Sequence, residues 1–217
     1  MRKFSLDKNT KISDLNIYKK RIKKINLKWV QQIVKIIKSR IQKKKIFLND
    51  LGCNTFQLYK GLRNTKLNRY IFYRGYDHEK EYINLGLKYF PELKKRNYII
   101  DIQQKTPKIS DVTVISATLE HLYNPEKTIN SICKSTKELI IIRTFLGNKK
   151  IRKLFKNKKY VDRPYFINQF KVSWIKKKLE SFNFKNIEII KDNATKGKVR
   201  SIYPGLKRKF SIIVAKK

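Results

Sequence analysis

A short apolar run, Lys45-Ile46-Phe47-Leu48, passes directly into Asn49-Asp50-Leu51-Gly52-Cys53-Asn54-Thr55 and then into the helix-forming Gln57-Leu58-Tyr59-Lys60. A strand that ends in an acid, turns on a glycine and enters a helix opens a parallel βαβ unit, because glycine lets the backbone turn sharply and approach a ligand. The helix that follows begins with amides lacking intrahelical partners, so the expectation is a nucleotide cradle. Many ordinary strand-to-helix turns carry the same DxG pattern, and the rest of the chain decides between the two.

Three further apolar runs follow in order. Tyr70-Ile71-Phe72-Tyr73-Arg74-Gly75-Tyr76 ends in Asp77, Tyr98-Ile99-Ile100 ends in Asp101, and Asp111-Val112-Thr113-Val114-Ile115-Ser116 runs into Ala117-Thr118-Leu119-Glu120-His121-Leu122. Each puts a polar residue at its carboxyl end, where open parallel sheets bind their ligands.

The series DLGCN, GYD, YIIDI and DVTVISATLEHL resembles the motif ladder of class I S-adenosylmethionine-dependent methyltransferases, most closely over residues 46–146. The resemblance implies a doubly wound, Rossmann-like α/β sheet, mostly parallel, closed by a late antiparallel hairpin. It implies S-adenosylmethionine as cofactor, with Asp50, Gly52 and Asn54 around its methionine part, Asp77 on the ribose hydroxyls, and Asp101 with Ile102 beside the adenine. A carboxylate can accept two hydrogen bonds from a vicinal diol, and an acid near a sulfonium complements its charge. Asn54 and Phe56 stand where the family pattern has its second and third glycines. Asn tolerates a left-handed backbone there; Phe does so poorly.

At 217 residues the chain fits one compact domain, and its hydrophobic content of 41% supports a real core. The formal charge of +38 admits nucleic acid or an anionic surface as partner. Lysine, isoleucine and asparagine are, however, spread through strands, helices and turns alike, which reads more as compositional bias than as a basic patch. Cys53 and Cys133 stand far apart, suggesting neither zinc nor a disulfide framework, so the expected compartment is the reducing cytosol. No run of about 18 apolar residues marks a transmembrane segment.

Residues 1–44 read as a basic helical extension and 45–217 as the Rossmann-like domain. Val30, Ile33, Ile37 and Ile41 fall at helical spacing within residues 13–44. Two readings stand for that helix: packed on the sheet with its lysines in water, or a lid or phosphate-touching surface. Helices are expected near Gln57–Arg63, from Glu79 to Tyr89 before Pro91, and near Pro125–Lys134. Leu139-Ile140-Ile141-Ile142-Arg143 reads as a parallel strand covered on both faces. After Leu146 the expectation is a lysine-rich connection to about Tyr160, a loop with Arg163-Pro164-Tyr165, a helix over Val172–Phe182, and late strands at Ile187–Ile190 and Phe210–Ala215.

Glu120-His121 is the polar pair with the most chemistry, since histidine titrates near neutral pH. His121 is the candidate general base, taking a proton from an acceptor hydroxyl. A metal pair is disfavoured because Ala117 stands where the first Glu of the family's ExxEH branch would be. The structural alternative is a helix start, with the acid favoured by the helix dipole and the histidine packed under the cofactor. Arg143 is a candidate clamp for substrate carboxylate or phosphate, or an ion pair with a neighbouring acid. Asn168-Gln169-Phe170 and Asp192-Asn193-Ala194-Thr195 are expected in late loops, with Gln169 as a substrate contact. The resulting expectation is a metal-free methyltransferase acting on an oxygen or nitrogen of a polar small molecule or surface-glycan sugar. The alternatives are an RNA methyltransferase and a non-catalytic nucleic-acid-binding protein that keeps the fold.

Overall fold

A computed structural model describes residues 12–24, 27–41, 45–155, 165–203 and 206–217. Five strands alternate with helices or turns: β1 (Ile46–Leu51), α3 (Gln57–Asn64), β2 (Ile71–Asp77), α4 (Lys80–Leu87), β3 (Asn97–Ile99), β4 (Ser110–Ser116), α5 (Pro125–Ser135) and β5 (Thr136–Gly147). Two helices precede them, α1 (Ile12–Lys23) and α2 (Lys28–Arg40). After β5 come β6 (Ile151–Phe155), β7 (Tyr165–Lys171), α6 (Val172–Glu180), β8 (Lys185–Lys191), β9 (Arg200–Tyr203), β10 (Leu206–Arg208) and β11 (Phe210–Lys216).

The main sheet runs β3-β2-β1-β4-β5-β11-β8. The pairs β1–β2, β1–β4, β2–β3 and β4–β5 are parallel, while β11 is antiparallel to both β5 and β8. The sheet is therefore doubly wound, and its late strands make the hairpin that the sequence implies. The chain grows outward from β1 to β3, then returns to place β4 on the other side of β1. That reversal opens a crevice beyond the carboxyl ends of β1 and β4.

Period-two alternation divides the side chains into two cores. One face turns Ile46, Leu48, Tyr73, Val112, Val114, Leu139 and Ile141 toward α1, α2, α3 and α4. The other turns Leu51, Tyr76, Ile115, Ile140, Ile142 and Ile213 toward α5 and α6. Both helices of the basic N-terminal region join the first core, through Ile22 of α1 and Val30, Ile33, Val34, Ile36 and Ile37 of α2. Of the two readings for that region, the packed one describes α2, which also bonds to Lys191 O and Asn193 N through Gln32.

The region after β5 departs from the expectation. Residues 151–155 and 165–171 form an antiparallel pair, and β7 adds to the end of β5 at Leu146 and Gly147. Asn168 and Gln169 therefore stand on a strand and not in a loop. Arg163 and Pro164 lie outside the described residues.

Candidate functional site

The β1 turn is held by β2. Gly52 N and Cys53 N both donate to Tyr76 O, at 2.8 and 3.0 Å, and Asn54 N donates to Asp77 Oδ2 at 2.8 Å. Thr55 N donates to the Asn54 side chain and Phe56 N to Cys53 O. Every amide from Gly52 to Phe56 is thus taken, three by β2 and two within the turn, so the turn itself offers a ligand close backbone approach. Gly52 lies at φ +72°, and a Cβ there would overlap Thr118 Oγ1, so this glycine is fixed by conformation and by contact.

Asn54 and Phe56 take the left-handed backbone that glycines occupy in the resembled pattern, at φ 51° and 60°. Phe56 is fully buried, its ring against the bare α-carbons of Gly75 and Gly86 and edge-on to Tyr73. A left-handed non-glycine residue costs about 1–2 kcal/mol, and full burial of a Phe returns about 1.5–3 kcal/mol. The substitution therefore exchanges strain for core packing.

Asp77 ends β2 and is 7% exposed. Its Oδ2 holds Asn54 N and its Oδ1 holds Glu79 N at 3.0 Å, which leaves each oxygen lone-pair capacity for a second donor. Burial pushes its pKa up, against the pull of His78 and of the Asn54 N–H. Asp101 follows β3, its carboxylate held by Gln103 N at 2.9 Å and by the side-chain amides of Gln103 and Gln104. Ile102 is buried in the second core with Tyr76. Parallel pairing of Asp77 with Ile99, and of Leu51 with both Tyr76 and Ile115, brings the Gly52–Asn54 turn, Asp77, Asp101 and Ala117-Thr118 to one edge of the sheet.

Asp50 sits beneath this edge. It shares the face of Leu48 and Tyr73, accepts the Tyr73 hydroxyl at 2.6 Å, and is 4% exposed. Burial raises its pKa to about 7, against the Tyr73 hydrogen bond and with a further push from Asp77.

Beyond β4, Leu119–His121 form a single tight turn in which Glu120 and His121 diverge. Glu120 is fully buried and accepts Thr144 Oγ1 at 2.8 Å. Glu120 Oε1 and Ser116 Oγ are buried with no hydrogen-bond partner among the described residues. His121 is exposed, with Nδ1 3.3 Å from Phe166 O. Asn168 clamps the turn, its Nδ2 donating to Glu120 O and Leu122 O at 3.0 and 2.8 Å. Sequence reasoning missed Asn168 and Thr144 as partners of this turn; the available signal was the polar pair Asn168-Gln169 between the apolar Ile167 and Phe170.

Two expected substrate contacts are committed elsewhere. Arg143 is buried, donates from Nε to Asp192 Oδ1 at 2.8 Å, and lies 4.0 Å from the centroid of Phe210. Burial works to raise the Asp192 carboxyl, but Arg143 and Thr195 outweigh it and hold it below the usual range. The ion-pair alternative is the geometry found. Gln169 donates to Lys149 O at 3.0 Å and packs on Gly147, on the opposite side of β7 from Asn168. A separate cavity of about 380 Å³ between α1, α2 and α3 is lined by Arg21, Lys24, Lys35, Lys38 and Lys60 and by none of the crevice acids.

An open sheet of this order, with an antiparallel strand inserted between β5 and β8, is the class I S-adenosylmethionine-dependent methyltransferase fold. A methyltransferase of that kind from Clostridium acetobutylicum superposes over 94% of this chain and 97% of its own, with a TM-score of 0.64 and 15% identity. Magnesium protoporphyrin IX methyltransferase from Synechocystis PCC 6803, with bound SAH, covers 97% of this chain and 89% of its own at a TM-score of 0.60 and 14% identity. The cyclase SpnF shares the fold over 86% of this chain and 80% of its own, at a TM-score of 0.60 and 14% identity, so the fold alone does not dictate the reaction. No family model matches the chain, and no curated protein sequence matches it.

Proposed function

We propose that the chain is an enzyme that binds S-adenosylmethionine at the edge formed by β1, β2 and β4 and transfers its methyl group to an oxygen or nitrogen of a polar acceptor, a small molecule or a surface-glycan sugar. The observation that carries this reading is the buried Asp77 carboxylate, set by two backbone amides beside the Gly52 turn with capacity for a vicinal diol. The donor set fits the group: Asp77 for the ribose hydroxyls, Gly52 and Asn54 for the methionine part, Asp101 and Ile102 beside the adenine. Asp50 adds negative charge beneath the loop. When bound, the cofactor supplies an electrophilic methyl group on a positively charged sulfur.

Calorimetry with S-adenosylmethionine and its demethylated product tests this directly. Losing a charged hydrogen-bond acceptor costs about 1.5–3 kcal/mol, so Asp77→Ala should weaken binding at least about tenfold while the chain stays folded. Unchanged affinity in a folded variant removes Asp77 from the site.

His121 is the proposed base. If Nδ1 donates to the Phe166 carbonyl, the lone pair of the neutral ring resides on Nε2, the form that accepts a proton. Holding the acceptor in line supplies much of the rate, and the base adds about 10²–10⁴. His121→Ala should lose that factor in turnover with cofactor affinity intact, and turnover should survive chelators, since Glu120 and His121 point apart. A fully active His121→Ala would assign the residue to the turn's structure alone.

RNA is the second acceptor reading, favoured by the charge of +38. Among the described residues no helix is long and apolar enough to cross a membrane. The two cysteines are free and buried, which supports a reducing compartment such as the cytoplasm.

A further inference from the structure

The second face of the sheet is covered unevenly. A parallel strand is ordinarily buried on both faces, because each crossover lays a helix on one of them. Here α5 and α6 cover β4, β5 and β11, whereas residues 100–109 connect β3 to β4 without a helix. The near end of β1 and β2 is left open. Phe47 and Phe72, paired in register and on one face, are 45% and 43% exposed.

Cations lie on these rings. Arg74 Cζ is 4.6 Å from the Phe47 centroid, and Arg96 Cζ is 4.5 Å from that of Phe72. Lys108 Nζ lies 5.0 Å from Tyr98, which stacks on Tyr76. The two phenyl rings meet edge to face at 5.2 Å, so the row alternates aromatic faces with positive charge across three strands. Asp111, beside Phe47 on β4, is 9% exposed, and its carboxylate accepts Phe47 N at 2.7 Å.

We propose that this open face docks a single strand of nucleic acid, with bases stacked on Phe47 and Phe72 and phosphates on Arg96, Lys108 and the Arg74 N–H groups not given to Ile109 O. Charge complementarity selects the occupant. A second copy would bring +38 against +38, and an acidic peptide offers carboxylates but no succession of flat π-faces. A duplex keeps its bases stacked internally, whereas a single strand presents both the faces and the phosphates. Phe47 lies at the amino end of β1, four residues or about 13 Å from Leu51, so docking here is independent of methyl transfer.

The test is fluorescence anisotropy with a labelled oligonucleotide of about twelve residues, without cofactor, across a salt series. Phe47→Ser/Phe72→Ser should bind about tenfold or more weakly with the same salt slope, because stacking is lost and phosphate contacts are kept. Phe72→Trp should bind like wild type, with quenching of the added indole on stacking. If the serine variant fails to fold, Phe47→Tyr/Phe72→Tyr and Phe72→Trp carry the test: retained affinity with quenching supports the proposal, and binding without quenching overturns it. Equal binding by a folded serine variant, absence of binding by wild type at about 0.15 M salt, equal affinity for a polyglutamate peptide, or dimerisation abolished by the serine pair would each overturn it. Absence of oligonucleotide binding by the wild type, with its calorimetric cofactor binding intact, would sink this proposal alone.

Discussion

Asp50 carries its charge where water barely reaches, with one hydroxyl donor to stabilise it. Burial is the larger effect and holds its pKa at about 7, so near neutral pH the carboxyl is half protonated. The folded state then binds the proton more tightly than the unfolded chain does. For such a group stability is fully present below pH ~4 and is lost as pH rises to about 7, the reverse of an acid in a strong ion pair. Asp50→Asn keeps an oxygen for the Tyr73 hydroxyl and removes the titration. We expect the variant to match wild type near pH 4 and to exceed it at pH 8 by on the order of 2–4 kcal/mol, measured by urea unfolding at both pH values. Asp77 shifts in the same direction and its charge adds to the push on Asp50, so the difference between variant and wild type reports Asp50 together with its coupling to Asp77. A variant no more stable at pH 8 would mean that the carboxylate is solvated or paired in solution. If the buried charge serves the cofactor, the stabilised variant should bind S-adenosylmethionine more weakly.

The turn from β1 into α3 explains how a departure from a glycine pattern can be structural. Phe56 occupies the left-handed position, and the glycines that receive its ring are Gly75 on β2 and Gly86 on α4. A Cβ at Gly86 would stand 2.5 Å from Phe56 Cδ2, so Gly86→Ala should destabilise by about 1–3 kcal/mol through overpacking. Phe56→Ala should cost about 3–5 kcal/mol, and in that background Gly86→Ala should cost much less, because the ring is gone and Ala favours the helix. A coupling above about 1 kcal/mol in denaturant unfolding is the expected result; additive costs would refute the direct contact. The sequence contained the strands β1, β2, β4 and β5 as largely apolar runs, and Asp50, Asp77 and Asp101 marked the crevice. It did not contain β6, whose Arg152 and Lys153 hide a strand paired on an edge, or β7, where the buried Asn168 breaks the apolar pattern. The bonds of Tyr73 to Asp50 and Thr144 to Glu120 cross 23 and 24 positions. They depend on strand register, so composition and spacing could place Asp50 and Glu120 on the right elements but not say which way each would face.

At the scale of the whole molecule the excess of positive charge is a property of folding before it is one of function. With 54 Lys and Arg against 16 Asp and Glu, most cations have no carboxylate to pair with. The surface pairs Arg40–Glu188, Arg63–Glu92 and the half-buried Lys178 with Glu126 are each worth about 0–1 kcal/mol. A folded chain of this length has a radius of gyration of about 17 Å. The screening length is about 30 Å at 0.01 M salt and about 8 Å at 0.15 M. At low salt every cation therefore feels the rest of the molecule, while near physiological salt it feels only its neighbours. Unfolding spreads the charges apart, so self-repulsion favours the unfolded state and salt should relieve it. The melting temperature should rise between 0.01 and 0.15 M sodium chloride, and rise further in sulfate, which also strengthens burial. Calorimetric scans in the two salts provide the measurement, and a melting temperature that falls with added chloride would show that ion pairs outweigh repulsion. Lys176→Gln/Lys177→Gln on α6 separates general charge from the docking face. Removing two cations should raise the low-salt melting temperature and reduce the salt slope of oligonucleotide binding by at most about two, while leaving the stacking contribution of Phe47 and Phe72 unchanged.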